Sequence, residues 1–122
     1  MDDALIARFA AIVGDRYAVR AADDIAPYVS EPRGLYGGVT PLVLRPGSTE
    51  EVSRIMALAS ETRTPVVPQG GNTGLVGGQM PDQTGTQIVL SLSRLNRIRE
   101  LDVLSNTATV EAGVILEVLQ QA

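Results

Sequence analysis

The chain has 122 residues, at most one domain of ordinary size, and its 44% hydrophobic and 20% charged content is normal for a globular protein in water. A formal net charge of −4 argues against a general nucleic-acid or anionic-membrane surface. The absence of cysteine excludes a disulfide framework, a thiolate zinc site and a cysteine nucleophile, and the absence of histidine removes the usual general base and metal ligand near neutral pH.

In chain order, Leu5, Ile6, Phe9, Ile12 and Val13 form one helical stripe within residues 3–13, with Asp2 or Asp3 as cap and Gly14 as stop. No apolar run has transmembrane length, and Asp2 and Asp3 replace a basic leader, so the expected location is cytoplasmic or matrix-side, without membrane insertion. Residues 15–40 read as loop, with one short helical turn near Asp23–Ala26. A strand follows at Leu42–Leu44, closed by Pro46. The clearest helix covers Thr49–Arg63. Ser48 and Glu51 fit a capping box, and Val52, Ile55, Met56 and Ala59 recur at helical spacing. "VVP" is a second strand, so strand–helix–strand makes one parallel crossover unit.

Next comes "PVVPQGGNTGLVGG", in which five glycines (Gly70, Gly71, Gly74, Gly77, Gly78) fall within nine residues. Glycines let the backbone turn sharply, and successive N–H groups in such a loop converge on an anion. A diphosphate fits, with Gln69, Asn72 and Thr73 as uncharged donors and no cation between Pro65 and Gly85. The spacing is neither G-x-x-x-x-G-K-[ST] nor G-x-G-x-x-G, which argues against a P-loop nucleotidase and a Rossmann turn. The plain alternative is a glycine-rich surface turn.

"TQIVLSL" reads as a third strand. "RIRELDVLSNTATVEAG" reads as a hairpin, Ile98–Val103 and Thr107–Glu111, turning at Ser105–Asn106, and a helix begins over residues 114–121. The order passes from parallel α/β to hairpin β, an α+β fold with two lobes. Residues 1–40 are the helix and lead-in, 41–95 the parallel lobe with the glycine loop, and 96–122 the start of a second, mixed or antiparallel lobe. Glu50 and Glu51 sit where a helix N-terminus favours negative charge, and Arg94, Arg97 and Arg99 read as a solvated strand edge.

The loop and its flanks resemble the vanillyl-alcohol-oxidase-type, or PCMH-type, FAD-binding domain. The match runs from "TPLVLRPGSTEEVSRIMALASETRTPVVPQGG" through "IVLSLSRLNRIRELDVLSNTATVEAGVILEVLQQA". "PQGGNTGLVGG" is most similar to the D-2-hydroxyacid dehydrogenase branch, which takes in D-2-hydroxyglutarate and D-lactate dehydrogenases and glycolate oxidase flavin subunits. The resemblance implies FAD contacts from Pro68, Gln69, Gly70, Gly71, Asn72, Thr73 and Gly74, then Gly77 and Gly78 beside the flavin end, with Ser91, Gly113 and Val114 nearby. Some members bond the flavin covalently through a loop histidine; Asn72 stands here, so non-covalent FAD is expected.

The resemblance further implies oxidation of a D-2-hydroxy acid to a 2-oxo acid, with electrons passed to a separate acceptor. It assigns no catalytic residue and no metal ligand to these residues, and places substrate binding in a later part of such proteins. The sequence stops within an apolar periodic segment, so the expectation is a piece of a longer enzyme, inactive alone, whose exposed last helix favours a homodimer. The competing expectations are a non-catalytic FAD- or nucleotide-binding module of an oxidoreductase complex, and a phosphate-binding domain unrelated to flavins.

Overall fold

The structure is a computed structural model that describes residues 2–30, 38–70, 80–115 and 120–121. Helix α1 spans Asp3–Val13. The Asp2 carboxylate accepts from the Leu5 N–H at 2.7 Å and closes its first turn. Gly14, at φ 86, ends it in a conformation that side chains disfavour, its N–H bonding the Ala10 carbonyl. After one 3-10 turn at Asp15–Tyr17 comes strand β1, Ala18–Val19.

Helix α2 then runs Ala22–Val29, longer than the single turn expected near Asp23–Ala26. Pro27 lies inside it. Proline removes an N–H and usually stops a helix. Here Ile25 is buried against Val43 and Val89, with Tyr28 and Val29 packed on the same cluster, and that burial carries the helix through the proline.

Strand β2 is Val43–Leu44, helix α3 is Thr49–Thr62, β3 is Val66–Gln69 and β4 is Ile88–Ser91. The sheet order is β1-β2-β4-β3. β2 and β3 each pair parallel with β4, and β1 pairs antiparallel with β2. The parallel crossover therefore spans a gap that β4 fills. Its run Ile88-Val89-Leu90 is buried on both faces, as a central parallel strand requires. One face packs on Phe9, Ala10 and Val13 of α1 and on Ile55, Leu58 and Ala59 of α3; the other packs on α2. Each of the larger side chains buried there, such as Phe9, Ile55, Ile88 and Val89, contributes about 1.5–3 kcal/mol.

In α3, Ser48 Oγ accepts from the Glu51 N–H at 3.1 Å, as the capping box predicts. The Glu51 carboxylate reaches past the cap to the Gly47 N–H, at 2.7 Å. The apolar stripe is centred on Ile55, Leu58 and Ala59, which leaves Met56 at its margin and 46% exposed, contrary to the core role expected from its spacing.

Strands β5, Ile98–Asp102, and β6, Thr107–Val110, form the expected hairpin as a separate two-stranded sheet. Asn106, at φ 55, makes the turn, and the Asp102 carboxylate accepts from the N–H groups of Leu104 and Ser105. Those bonds, with the Ser105 bond foremost, hold the Asp102 carboxyl below its ordinary range. The α+β class is as expected. The helix expected over residues 114–121 lies largely outside the described residues. Among the described residues no helix is long and apolar enough to cross a membrane.

Candidate cofactor site

The three parallel strands all end at one edge of the sheet. In open α/β sheets, ligands bind outside the carboxyl ends of such strands. Here β3 and β4 run in register, Pro68 beside Leu90 and Gln69 beside Ser91. Gln69 and Ser91 are polar, yet only 2% and 1% exposed. Buried polar groups require partners. The Gln69 amide nitrogen donates to the Tyr28 carbonyl at 2.8 Å, and Ser91 Oγ shares a hydrogen with Ser93 Oγ at 3.1 Å. The Leu92 N–H donates to the Gln69 carbonyl at 2.8 Å, which continues the pairing past the end of β4.

Gly70 follows directly. Among the described residues, a Cβ built on it would meet nothing within 4 Å, so the end of β3 faces space that none of them fills. Gly113 is brought to the same region from the far side of the hairpin, its N–H donating to the Leu95 carbonyl at 2.6 Å. A Cβ there would collide with the carbonyls of Leu92 and Leu95, so close packing already requires a glycine at this position. Val114 is half-buried, and its N–H donates to the Glu111 carbonyl.

Of the residues assigned to the cofactor, Pro68, Gln69, Gly70 and Ser91 stand at the carboxyl edge, Gly113 packs on the segment that follows β4, and Val114 is fixed only to its own turn, through Glu111. Gly71, Asn72, Thr73, Gly74, Gly77 and Gly78 lie outside the described residues.

A cavity of about 440 Å³ lies on the opposite face of the sheet from Gln69 and Ser91. It lies between Thr49 and Val52 of α3, Pro68 and Leu90 of the sheet, and Val110–Ala112 at the hairpin base. Arg99 lines it, already paired with the Glu111 carboxylate at 2.8 Å. That bond, with the Arg97 N–H, holds the Glu111 carboxyl below its ordinary range. A diphosphate needs several free N–H or O–H donors. The apolar cavity offers few, whereas at the carboxyl edge the backbone at Gly70 meets open space among the described residues, beside Gln69 and Ser91, whose buried side chains are already bonded. Of the two places, the open backbone at Gly70 is the one with room for a diphosphate and with backbone N–H groups to offer it. Among the described residues, no group of three or more His, Cys, Asp or Glu side chains stands together to hold a metal ion.

Arg94 departs from the solvated edge expected of it. Its guanidinium lies 3.5 Å from the Tyr17 ring centroid and donates to the Arg45 carbonyl at 2.7 Å. Gly47 gives it room, since a Cβ there would overlap the guanidinium. Arg45 stacks more distantly on the same ring, 5.9 Å from its centroid, and its Nε is shut from solvent with no acceptor among the described residues. This clasp ties the segment after β4 to the end of β2. Nothing local in "SLSRLN" signals it, because Tyr17 lies far away in sequence.

A family model described as an FAD binding domain matches residues 40–122, and the chain belongs to that family. Over 112 residues it is 39% identical to the rice protein named "Probable D-2-hydroxyglutarate dehydrogenase, mitochondrial", covering 92% of this chain and 20% of the relative. It is 42% identical over 80 residues to glycolate oxidase subunit GlcD of Bacillus subtilis, covering 66% of this chain and 17% of that one. The chain spans about a fifth of the length of the curated relatives it matches. The crystal structure of p-cresol methylhydroxylase shares the fold, with a TM-score of 0.77 at 23% identity, over 98% of this chain and 24% of that one. The fold is thus that of PCMH-type FAD-binding domains.

Proposed function

We propose that this chain is the cofactor-holding part of an FAD-dependent oxidoreductase that oxidises a D-2-hydroxy acid, of the 2-hydroxyglutarate, lactate or glycolate type, to the 2-oxo acid. The observation that carries the reading is the paired end of β3 and β4, where buried Gln69 and Ser91 flank the open backbone at Gly70. Family membership and relatives named for hydroxy-acid oxidation support it.

On this reading residues 41–95 form the diphosphate lobe and 96–122 begin a second lobe. Pro68 directs the chain out of β3, and backbone N–H groups from Gly70 through Gly74 hold the diphosphate. Asn72 and Thr73 add side-chain donors, Gly77 and Gly78 lie beside the flavin end, and Ser91, Gly113 and Val114 complete the wall. The cofactor is held non-covalently; when bound, FAD supplies the acceptor for the hydride leaving the substrate α-carbon. The groups that take the hydroxyl proton and bind the substrate carboxylate belong to parts of the polypeptide beyond these residues. A separate acceptor then takes the electrons. The protein resides in the cytoplasm or mitochondrial matrix and associates as a homodimer, which fractionation and light scattering check.

Gly70→Val tests the site. Because a side chain there meets none of the described residues, the unfolding midpoint stays near wild type while FAD content falls. Unchanged FAD content in a folded variant removes Gly70 from the site.

A further inference from the structure

We propose that Gln69 is a positioning residue, which sets the direction of the chain entering Gly70 by fastening the end of β3 to α2. The inference rests on the FAD reading above and adds to it a part for α2, which no sequence motif marks.

Side chains alternate between faces along a strand. Val67 pairs with Val89, and Gln69, two residues on, pairs with Ser91, so Gln69 lies on the face that α2 covers. The last carbonyls of a helix lack partners within it. In α2 the Tyr28 carbonyl takes the Gln69 amide at 2.8 Å, and the Val29 carbonyl takes the Gly38 N–H at 3.2 Å. α2 is itself fixed to the middle of the sheet through Ile25, against Val43 and Val89.

Gly70 has no side chain and, among the described residues, no neighbour within 4 Å of where one would begin. A glycine so placed has a wide choice of backbone direction. Its course must be set by the residue before it. Gln69 is held at both ends, by its carbonyl to the Leu92 N–H and by its amide to α2. Orienting donors before a ligand arrives lowers the entropy cost of binding.

The test uses the full-length protein with Gln69→Met, which keeps length and volume and removes the donor, alone and combined with Ile25→Ala, which loosens α2. Gln69→Met is expected to weaken FAD binding about tenfold, in line with the loss of one buried hydrogen bond. Ile25→Ala weakens it too, and the double variant weakens it no more than the stronger single, because both act through one strut. In the FAD-free protein, amide exchange in α2 accelerates in Gln69→Met. Additive losses, or α2 exchange unchanged in the FAD-free variant, overturn the positioning role while leaving FAD binding intact. A wild-type protein with no affinity for FAD overturns the functional reading itself. Ile25→Val serves the same cycle at smaller amplitude where the alanine variant does not fold.

Discussion

Replacing Arg94 with alanine removes two interactions at once. The guanidinium's bond to the Arg45 carbonyl, at 2.7 Å, is a hydrogen bond from a charged donor, about 1.5–3 kcal/mol. Its place over the Tyr17 ring, at 3.5 Å, adds about 0.5–2 kcal/mol. The side chain is only half-buried and the two terms share one group, so the lower end of the sum, about 2 kcal/mol, is expected. Urea unfolding followed by circular dichroism measures it. Gly47→Ala gives an independent check. Its new methyl overlaps nothing but the Arg94 guanidinium among its nearest neighbours, so it expels that side chain and costs a similar amount. In the Arg94→Ala background the same glycine change is then close to neutral. Arg94→Ala within about 0.5 kcal/mol of wild type, the scatter of ordinary surface changes, refutes the clasp. So does a Gly47→Ala cost that persists without Arg94.

Three further outcomes follow from single positions. Gly113→Ala drives a methyl into the Leu92 and Leu95 carbonyls, which are backbone and cannot swing aside, so a loss of about 2 kcal/mol or more is expected in the same assay. Ser48→Ala removes the cap of α3 and costs about 1 kcal/mol. The Glu111 carboxyl, held low by Arg99 and the Arg97 N–H, contributes stability that is present above its ordinary titration range and is lost as the pH falls through its lowered folded value. Carboxyl NMR places the Glu111 midpoint below that of an unpaired glutamate, and Arg99→Ala moves it back up.

Much of the fold was legible because local signals were strong. Asp2 and Gly14 bracket α1 at the residues where the helix begins and ends, and the Ser48 and Glu51 pair marks the start of α3. The misses have tertiary causes. α2 continues through Pro27 because Ile25 finds a pocket on the sheet, which no local pattern announces. β1 has two residues, too few for a period, and depends on pairing with β2. Met56 fits a helical spacing, but Leu58 recentres the buried stripe. The place of β4 between β2 and β3 is a matter of topology, although its unbroken apolar run is the mark of a central strand.

Gln69 and Ser91 were legible as strand-end positions, whereas the α2 carbonyl that holds Gln69 was not, because a backbone acceptor leaves no trace in a sequence. The glycine motif was the clearest signal in the chain, and most of it lies outside the described residues.

The most direct test of the central claim is an equilibrium titration of the protein with FAD, read by flavin fluorescence, with ATP and NAD as competitors. Saturable binding of one FAD per chain is expected, the flavin released intact by acid denaturation and displaced by ATP and NAD only at far higher concentration. No binding of FAD, or displacement by ATP at equal concentration, contradicts it.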